Sequence, residues 1–70
     1  MGAYRFSLRQ ARDYSGTTQQ SVADALHISK QTLINWEKGI TPITASNLRK
    51  LSEMYGIPIE DIFLPSETRY

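Results

Sequence analysis

The sequence contains no cysteine, a single histidine and no long apolar run, and each absence excludes a class of protein. Without cysteine there is no disulfide framework, and one histidine argues against a zinc site. No segment reaches the roughly 18 apolar residues that a membrane span needs, and no signal-peptide pattern opens the chain. We therefore expect a cytoplasmic protein without membrane association, metal or cofactor.

The usual catalytic constellations are also missing. The sequence shows no paired carboxylates, no nucleophile with a neighbouring base, no phosphate-binding loop and no metal cluster. His27 follows a helical pattern and has no partner for acid–base chemistry, so we interpret it as a turn residue. The sequence therefore predicts that the protein is not an enzyme.

The chain has 70 residues, which suffices for one small domain. We expect a single domain over 1–70, with its core at about 6–64 and a flexible tail at 65–70. The net charge is only +1 but it is unevenly distributed. Residues 1–50 carry seven basic and three acidic side chains, whereas residues 51–70 carry one basic and four acidic. The basic part suits either a polyanion or an ordinary solvated surface, and the acidic end is left free for contact with protein.

Helix start and stop signals divide the chain into five short helical patterns, and no strand pattern is visible. Hydroxyl residues stand at the starts and glycines at most of the ends, which are the residues that satisfy the free backbone groups there. The first helix is predicted to begin at the capping box of Ser7 and Gln10 and to end at Gly16, and the second to begin at Thr17 or Thr18. The third is predicted between Ser29 and Gly39, the fourth between Thr44 and Gly56, and a fifth over 57–63.

The third pattern, Lys30–Lys38, separates into two faces when its residues are placed about 100° apart. Leu33, Trp36 and Glu37 fall on the inward side together with Thr32. An outward arc of about 140° holds long polar side chains and one isoleucine. Its members are Lys30, Gln31, Ile34, Asn35 and Lys38.

Glu37 is the unusual member of the inward face, because a half-buried carboxylate needs a cation or several hydrogen bonds. Arg12 lies four residues from Leu8 and therefore on the core side of the first helix. We expect a structural ion pair between Arg12 and Glu37.

The residues that carry a family resemblance extend from about Leu8 to Phe63, roughly 80% of the chain. They are Thr18 and Gln19, Ala23, Leu26, Ile28 and Ser29, Thr32, Trp36 and Glu37, Gly39, Pro42, Asn47 and Leu48, Leu51, Gly56 and Ile62. In combination they resemble the Cro and CI repressor type of helix-turn-helix DNA-binding domain, the XRE-like family. The resemblance implies an all-α fold, a compact five-helix bundle of the lambda-repressor-like type with a helix-turn-helix in helices two and three.

The resemblance also implies a role for the outward arc. The third helix would lie in the major groove of double-stranded DNA, as in a sequence-specific transcriptional regulator such as a small Cro-like repressor. Members of the family usually bind as symmetric dimers, so we expect a homodimer on a palindromic operator. The implied base contacts are Lys30, Gln31, Ile34 and Asn35, and the implied phosphate contacts are Thr18, Gln19, Thr32, Lys38 and Asn47.

Side-chain chemistry fits these base contacts. Gln31 and Asn35 can each bond adenine, and Lys30 can bond guanine. Ile34 can meet a thymine methyl group or a protein partner, and the sequence leaves both open. Arg9, together with the basic residues of the fourth helix, is expected to be solvated.

Departures from the family pattern suggest an alternative function. His27 replaces the usual turn glycine, which predicts a left-handed backbone at that residue. Ile34 and Ile40 stand where polar or basic residues are common. The alternative is a protein-binding module on the same fold, an antirepressor or antitoxin. Candidate apolar residues for a dimer or partner surface are Ile40, Ile43, Met54, Ile59, Phe63 and Leu64.

Overall fold

A computed structural model describes residues 5–64; the flexible tail expected at 65–70 lies outside the described residues. Four α-helices and one 3-10 turn follow each other along this part of the chain. They are α1 (Leu8–Ser15), α2 (Gln19–Leu26), α3 (Lys30–Lys38), α4 (Ala45–Tyr55) and the turn Ile59–Asp61. The described residues contain no strand beyond one isolated bridge, so the all-α prediction is confirmed over this range.

The short fifth helix predicted over 57–63 is not confirmed at that length. Only the 3-10 turn Ile59–Asp61 forms there, and at Ile62 the backbone becomes extended (φ −110°, ψ 126°). Pro58 precedes the turn and has no N–H to donate. Residues 5–64 therefore contain four α-helices and one 3-10 turn rather than five helices.

Contacts with the start of the chain explain why that segment is extended. The backbone N–H of Phe6 donates to the carbonyl of Asp61 at 2.7 Å, and that of Phe63 donates to the carbonyl of Phe6 at 2.9 Å. Phe6 and Ile62 form the isolated parallel bridge. The backbone groups that a fifth helix would pair internally are paired with the N-terminal segment instead.

The core draws on all four helices and on the segment after α4. Leu8, Leu33 and Leu51 are almost completely inaccessible to solvent. Leu33 and Trp36 fasten α3 to this core, as its projection predicts. The remaining buried members of the cluster are Ala11, Val22, Tyr55, Ile57 and Ile62.

Side-chain caps begin all four helices, and the hydroxyl of Thr18, not that of Thr17, caps α2. Each helix also ends at a residue with left-handed backbone, which is a glycine in α1, α3 and α4. In α2 that residue is His27, with φ 59° and ψ 43°, so the predicted left-handed backbone is confirmed. The N–H groups of His27 and Ile28 close the end of α2 on the carbonyls of Asp24 and Ala23, at 3.2 and 3.0 Å. This turn directs the chain from α2 into α3.

We predict that His27→Gly raises the free energy of unfolding by about 0.5–1 kcal/mol, because glycine adopts left-handed backbone without the steric cost of a Cβ atom. Urea titration of both proteins measures the difference. Gly56→Ala is the reverse control: its added Cβ meets no atom within 4 Å, so the φ of +71° alone should destabilise the protein. An equal or lower stability of His27→Gly would contradict the assignment of strain to this turn.

Candidate nucleic-acid interface

Helix α3 turns its outward face to solvent because its inward face is fixed. The Ser29 hydroxyl accepts a hydrogen bond from the N–H of Thr32 at 3.1 Å and also lies 2.9 Å from the Thr32 hydroxyl. At the other end, Gly39 closes the helix with left-handed backbone. With Leu33 and Trp36 buried between these ends, Lys30, Gln31 and Lys38 are exposed and Asn35 is half-buried.

Two amides on the outward face are joined to each other. Nε2 of Gln31 donates to Oδ1 of Asn35 at 3.0 Å, as residues four apart on a helix can. This bond orients both side chains and leaves a carbonyl oxygen and N–H groups of the pair available. A carbonyl and an N–H side by side match the N6 and N7 edge of adenine in the major groove.

The other outward residues of α3 line a groove that the helix forms with α1 and the start of α2. Lys30, Ile34 and Lys38 are each four residues apart and make one wall. The groove is also lined by Arg9, Arg12, Thr17, Thr18, Gln19, Gln20 and Glu37. The single arc predicted from the sequence is therefore two stripes, the Gln31–Asn35 amide pair and the groove wall.

The structure contains the expected ion pair at this groove. Nε of Arg12 lies 2.7 Å from Oε2 of Glu37, and its second terminal nitrogen lies 3.3 Å from Oε1. The two side chains are only 11% and 5% exposed. The hydrogen bond to Glu37 raises the pKa of Arg12 above its ordinary value, against the opposing effect of burial. The pair is bidentate and charged, a geometry that fixes direction as well as distance.

Gln19 adds α2 to the same carboxylate. Its Nε2 donates to Oε1 of Glu37 at 3.1 Å, so Glu37 of α3 binds Arg12 of α1 and Gln19 of α2 together. We call these three residues the carboxylate clamp. The clamp thus fastens α3 to α1 and α2. Gln19 also lines the groove, where its phosphate contact is expected.

The groove is cationic because the clamp cancels the only carboxylate among its lining residues. Arg12 neutralises Glu37, which leaves Arg9, Lys30 and Lys38 as the remaining charges. Arg9 also contacts Asp13 at 3.7 Å, but both side chains are more than half exposed, so solvent screens that contact. An anionic ligand is therefore attracted to this groove more than to the acidic parts of the protein surface.

The structure does not bring all predicted contact residues together. Thr18, Gln19, Lys30, Ile34 and Lys38 share the groove, while Thr32 and Asn47 lie outside its lining. The backbone N–H of Asn47 donates to the Thr44 hydroxyl at 3.2 Å as part of the α4 cap. Arg9, Thr17 and Gln20 line the groove although none of them was a predicted DNA contact, and the Arg9 side chain is largely solvated as expected. The spacing of three between Arg9 and Arg12 is the signal that could have placed Arg9 there.

Tyr55 lies in the core, where the charges of Glu37 and Arg12 in the clamp influence its hydroxyl group. The side chain is 4% exposed, and its hydroxyl finds no hydrogen-bond partner among the described residues. Burial raises the pKa of Tyr55 to about 12, and the negative charge of Glu37 adds to the effect.

Residues 5–64 contain neither a membrane-spanning helix nor a cluster of metal-ligating side chains. No helix there is long and apolar enough to cross a membrane. No group of three or more acidic, histidine or cysteine side chains in that range could hold a metal ion.

Comparisons with known proteins agree with this geometry. A family model described as helix-turn-helix matches residues 8–62. The chain is 34% identical over 61 residues to the cryptic phage CTXphi transcriptional repressor RstR of Vibrio cholerae, covering 87% of this chain and 52% of that protein. It is 35% identical over 57 residues to an uncharacterised helix-turn-helix-type transcriptional regulator of Methanocaldococcus jannaschii, covering 81% of this chain and 86% of that one. The chain thus spans about half the length of the Vibrio repressor. No solved structure gives a significant match.

The chain therefore belongs to the XRE-like helix-turn-helix family of DNA-binding domains. The helix-turn-helix consists of α2 and α3, joined by the left-handed turn at His27. Family membership confirms the resemblance on which the expected site was based.

We predict that Arg12→Met destabilises the protein by about 3–5 kcal/mol, because it leaves the Glu37 carboxylate buried without its cation. Arg9→Met is the matched control, since the exposed Arg9–Asp13 contact is worth at most about 1 kcal/mol. The double variant Arg12→Met/Glu37→Leu should regain much of the loss. Urea unfolding compares all four proteins, and equal losses in the two single variants would show that the clamp is not a constraint on the fold.

We also predict a loss of stability at alkaline pH that depends on Tyr55. Since the pKa is about 12 in the folded state and 10.0 without the fold, the folded protein keeps a proton that the unfolded chain releases between these values. Stability present below pH 10 is therefore lost as the pH rises towards 12, by up to about 1.4 kcal/mol per pH unit. Tyr55→Phe should flatten this decline, and Tyr14→Phe, at a 72% exposed tyrosine, should not. Identical alkaline profiles of the wild type and Tyr55→Phe would contradict the shift.

Proposed function

We propose that this protein is a sequence-specific transcriptional regulator, a small Cro-like repressor, that places α3 in the major groove of its operator. The observation that carries the proposal is the exposed Gln31–Asn35 amide pair on a helix that the carboxylate clamp holds in place. Side chains that are already oriented lose little conformational freedom on binding, which favours reading of base edges over non-specific contact. Family membership supports a binding role rather than a catalytic one.

Phosphate contacts supply most of the affinity in this proposal. Lys30 and Lys38 border the groove, and Thr18 and Gln19 lie beside the N-terminus of α2, where backbone N–H groups favour an anion. The contacts proposed for Thr32 and Asn47 lie outside this groove and would have to reach a neighbouring part of the DNA backbone. Lys30 directly precedes Gln31 of the amide pair, so it can bond a guanine base instead of a phosphate.

A homodimer on a palindromic operator is the second part of the proposal. One recognition helix covers only a few base pairs, whereas two helices about 34 Å apart read successive major grooves on one side of the duplex. Among the apolar residues predicted for a dimer surface, Ile43, Met54 and Leu64 pack against the core. Ile40 and Ile59 are 65% and 37% exposed. We propose that the dimer surface includes Ile40 or Ile59.

The exposed Ile40 also supports the second candidate, a protein-binding module on the same fold. An antirepressor or antitoxin would cover this side chain with a partner and would need no reading of bases. The two candidates differ in one property that can be measured, which is enrichment of a DNA sequence by the purified protein. Selection from random DNA yields a palindrome under the first candidate and no enriched sequence under the second.

We predict that Gln31→Ala/Asn35→Ala lowers the preference for the selected operator over a scrambled duplex by tenfold or more. Each bidentate base contact is worth roughly 1–3 kcal/mol of discrimination. Fluorescence anisotropy at about 50 mM salt measures both affinities, and circular dichroism verifies the fold. Lys38→Ala is the control, because loss of a phosphate contact weakens binding to both duplexes alike. An unchanged preference in the double variant would remove the base-reading role from this pair.

A further inference from the structure

Asp13 of α1 contacts two arginines of the groove at once. Its Oδ1 lies 3.6 Å from Nη1 of Arg12, and its Oδ2 lies 3.7 Å from Nε of Arg9. Both arginines line the groove, whereas Asp13 is not among its lining residues. A carboxylate beside the groove therefore interacts with two of the positive charges that the groove could offer to an anionic ligand.

The two arginines differ in their freedom to leave Asp13. The Arg12 side chain is 11% exposed and lies 2.7 Å from the Glu37 carboxylate, so the clamp holds it in place. The Arg9 side chain is 73% exposed, and that of Asp13 is 58% exposed. Because water screens an exposed pair at this distance, Arg9 can turn away from Asp13 at little cost. Asp13 then keeps its contact with Arg12, so its carboxylate still has a cation beside it.

The position of Arg9 decides which ligand can take it from Asp13. Arg9 lies on α1 and lines the same groove as Lys30 and Lys38 of α3. When α3 lies in the major groove of a duplex, these three cations approach the sugar–phosphate backbone beside it. A phosphate group offers a guanidinium several oxygens in the geometry that it binds bidentately. Release of counterions from the DNA favours this contact further.

We propose that Asp13 is an intramolecular competitor of the DNA backbone: its carboxylate holds Arg9 in the free protein and yields it to a phosphate when a duplex binds. The inference rests on the proposed function, but it uses only the contact with DNA and not the reading of bases. Because phosphates are the same in every sequence, the competition weakens binding to all duplexes alike. Asp13 thus limits the overall affinity, while the choice of sequence belongs to α3.

A double-mutant cycle between Asp13 and Arg9 tests the competition. Asp13→Asn keeps the size of the side chain and removes its charge. Affinity for the selected operator and for a scrambled duplex should both rise, by up to about fivefold, which is the largest effect expected of an exposed ion pair. Arg9→Gln should weaken both complexes and lower the slope of log affinity against log salt by about one. In the Arg9→Gln background, Asp13→Asn should give no gain.

Asp24→Asn is the matched control for a general loss of negative charge. Asp24 is an exposed aspartate of α2, and its Oδ1 accepts a hydrogen bond from Nε2 of Gln20 at 2.9 Å. Any gain in affinity from this variant comes from net charge alone, so it should persist in the Arg9→Gln background. Fluorescence anisotropy over a series of salt concentrations from about 50 mM measures all the affinities, and circular dichroism verifies the fold of each variant.

Three results would overturn the inference while leaving the proposed function intact. They are unchanged affinity of Asp13→Asn, a gain from Asp13→Asn that persists without Arg9, and an unchanged salt dependence of Arg9→Gln. The opposite separation is also measurable, because a protein with no preference for any sequence could still show the coupling between the two residues. If neither duplex binds at about 50 mM salt, the inference and the proposed function fall together.

Discussion

The placement of α3 depends on one charged contact, the ion pair between Arg12 and Glu37. It joins α1 to α3 at 2.7 Å in a nearly solvent-free setting, and Gln19 extends the connection to α2 through the same carboxylate. A buried ion pair is weak evidence for added stability, because removing both ions from water offsets most of their attraction. Its stronger consequence is geometric, since any other orientation of α3 would leave a buried charge unpaired.

The clamp also makes the groove chemically consistent with its proposed contact with DNA. A free carboxylate at the position of Glu37 would repel the phosphates that Lys30 and Lys38 are placed to attract. With both oxygens of Glu37 engaged by Arg12 and Gln19, the groove presents cations, neutral polar side chains and the apolar surface of Ile34, and its one carboxylate is paired. The same contacts that fix the helix therefore remove the electrostatic obstacle to its proposed use.

Local signals in the sequence were sufficient for most of the fold and for part of the site. Caps and left-handed ends depend on single residues, so Ser29, Gly39 and the unusual His27 could be predicted, and helical projection paired Arg12 with Glu37. The prediction of a full fifth helix was not confirmed, because a non-local contact determines the conformation of that segment. Ile62 pairs with Phe6, which is far away in sequence.

The groove could not be predicted from the sequence for the same reason, since it depends on contacts between distant segments. Its walls come from three helices, and the projection of α3 alone cannot show that Lys30, Ile34 and Lys38 face α1. The central claim is that α3 reads bases, and an NMR titration that follows the backbone and side-chain amide signals tests it most directly. The account predicts that Gln31 and Asn35 shift with the selected operator and not with a scrambled duplex. Shifts confined to the surface around Ile40 and Ile59, the same with either duplex, would contradict it.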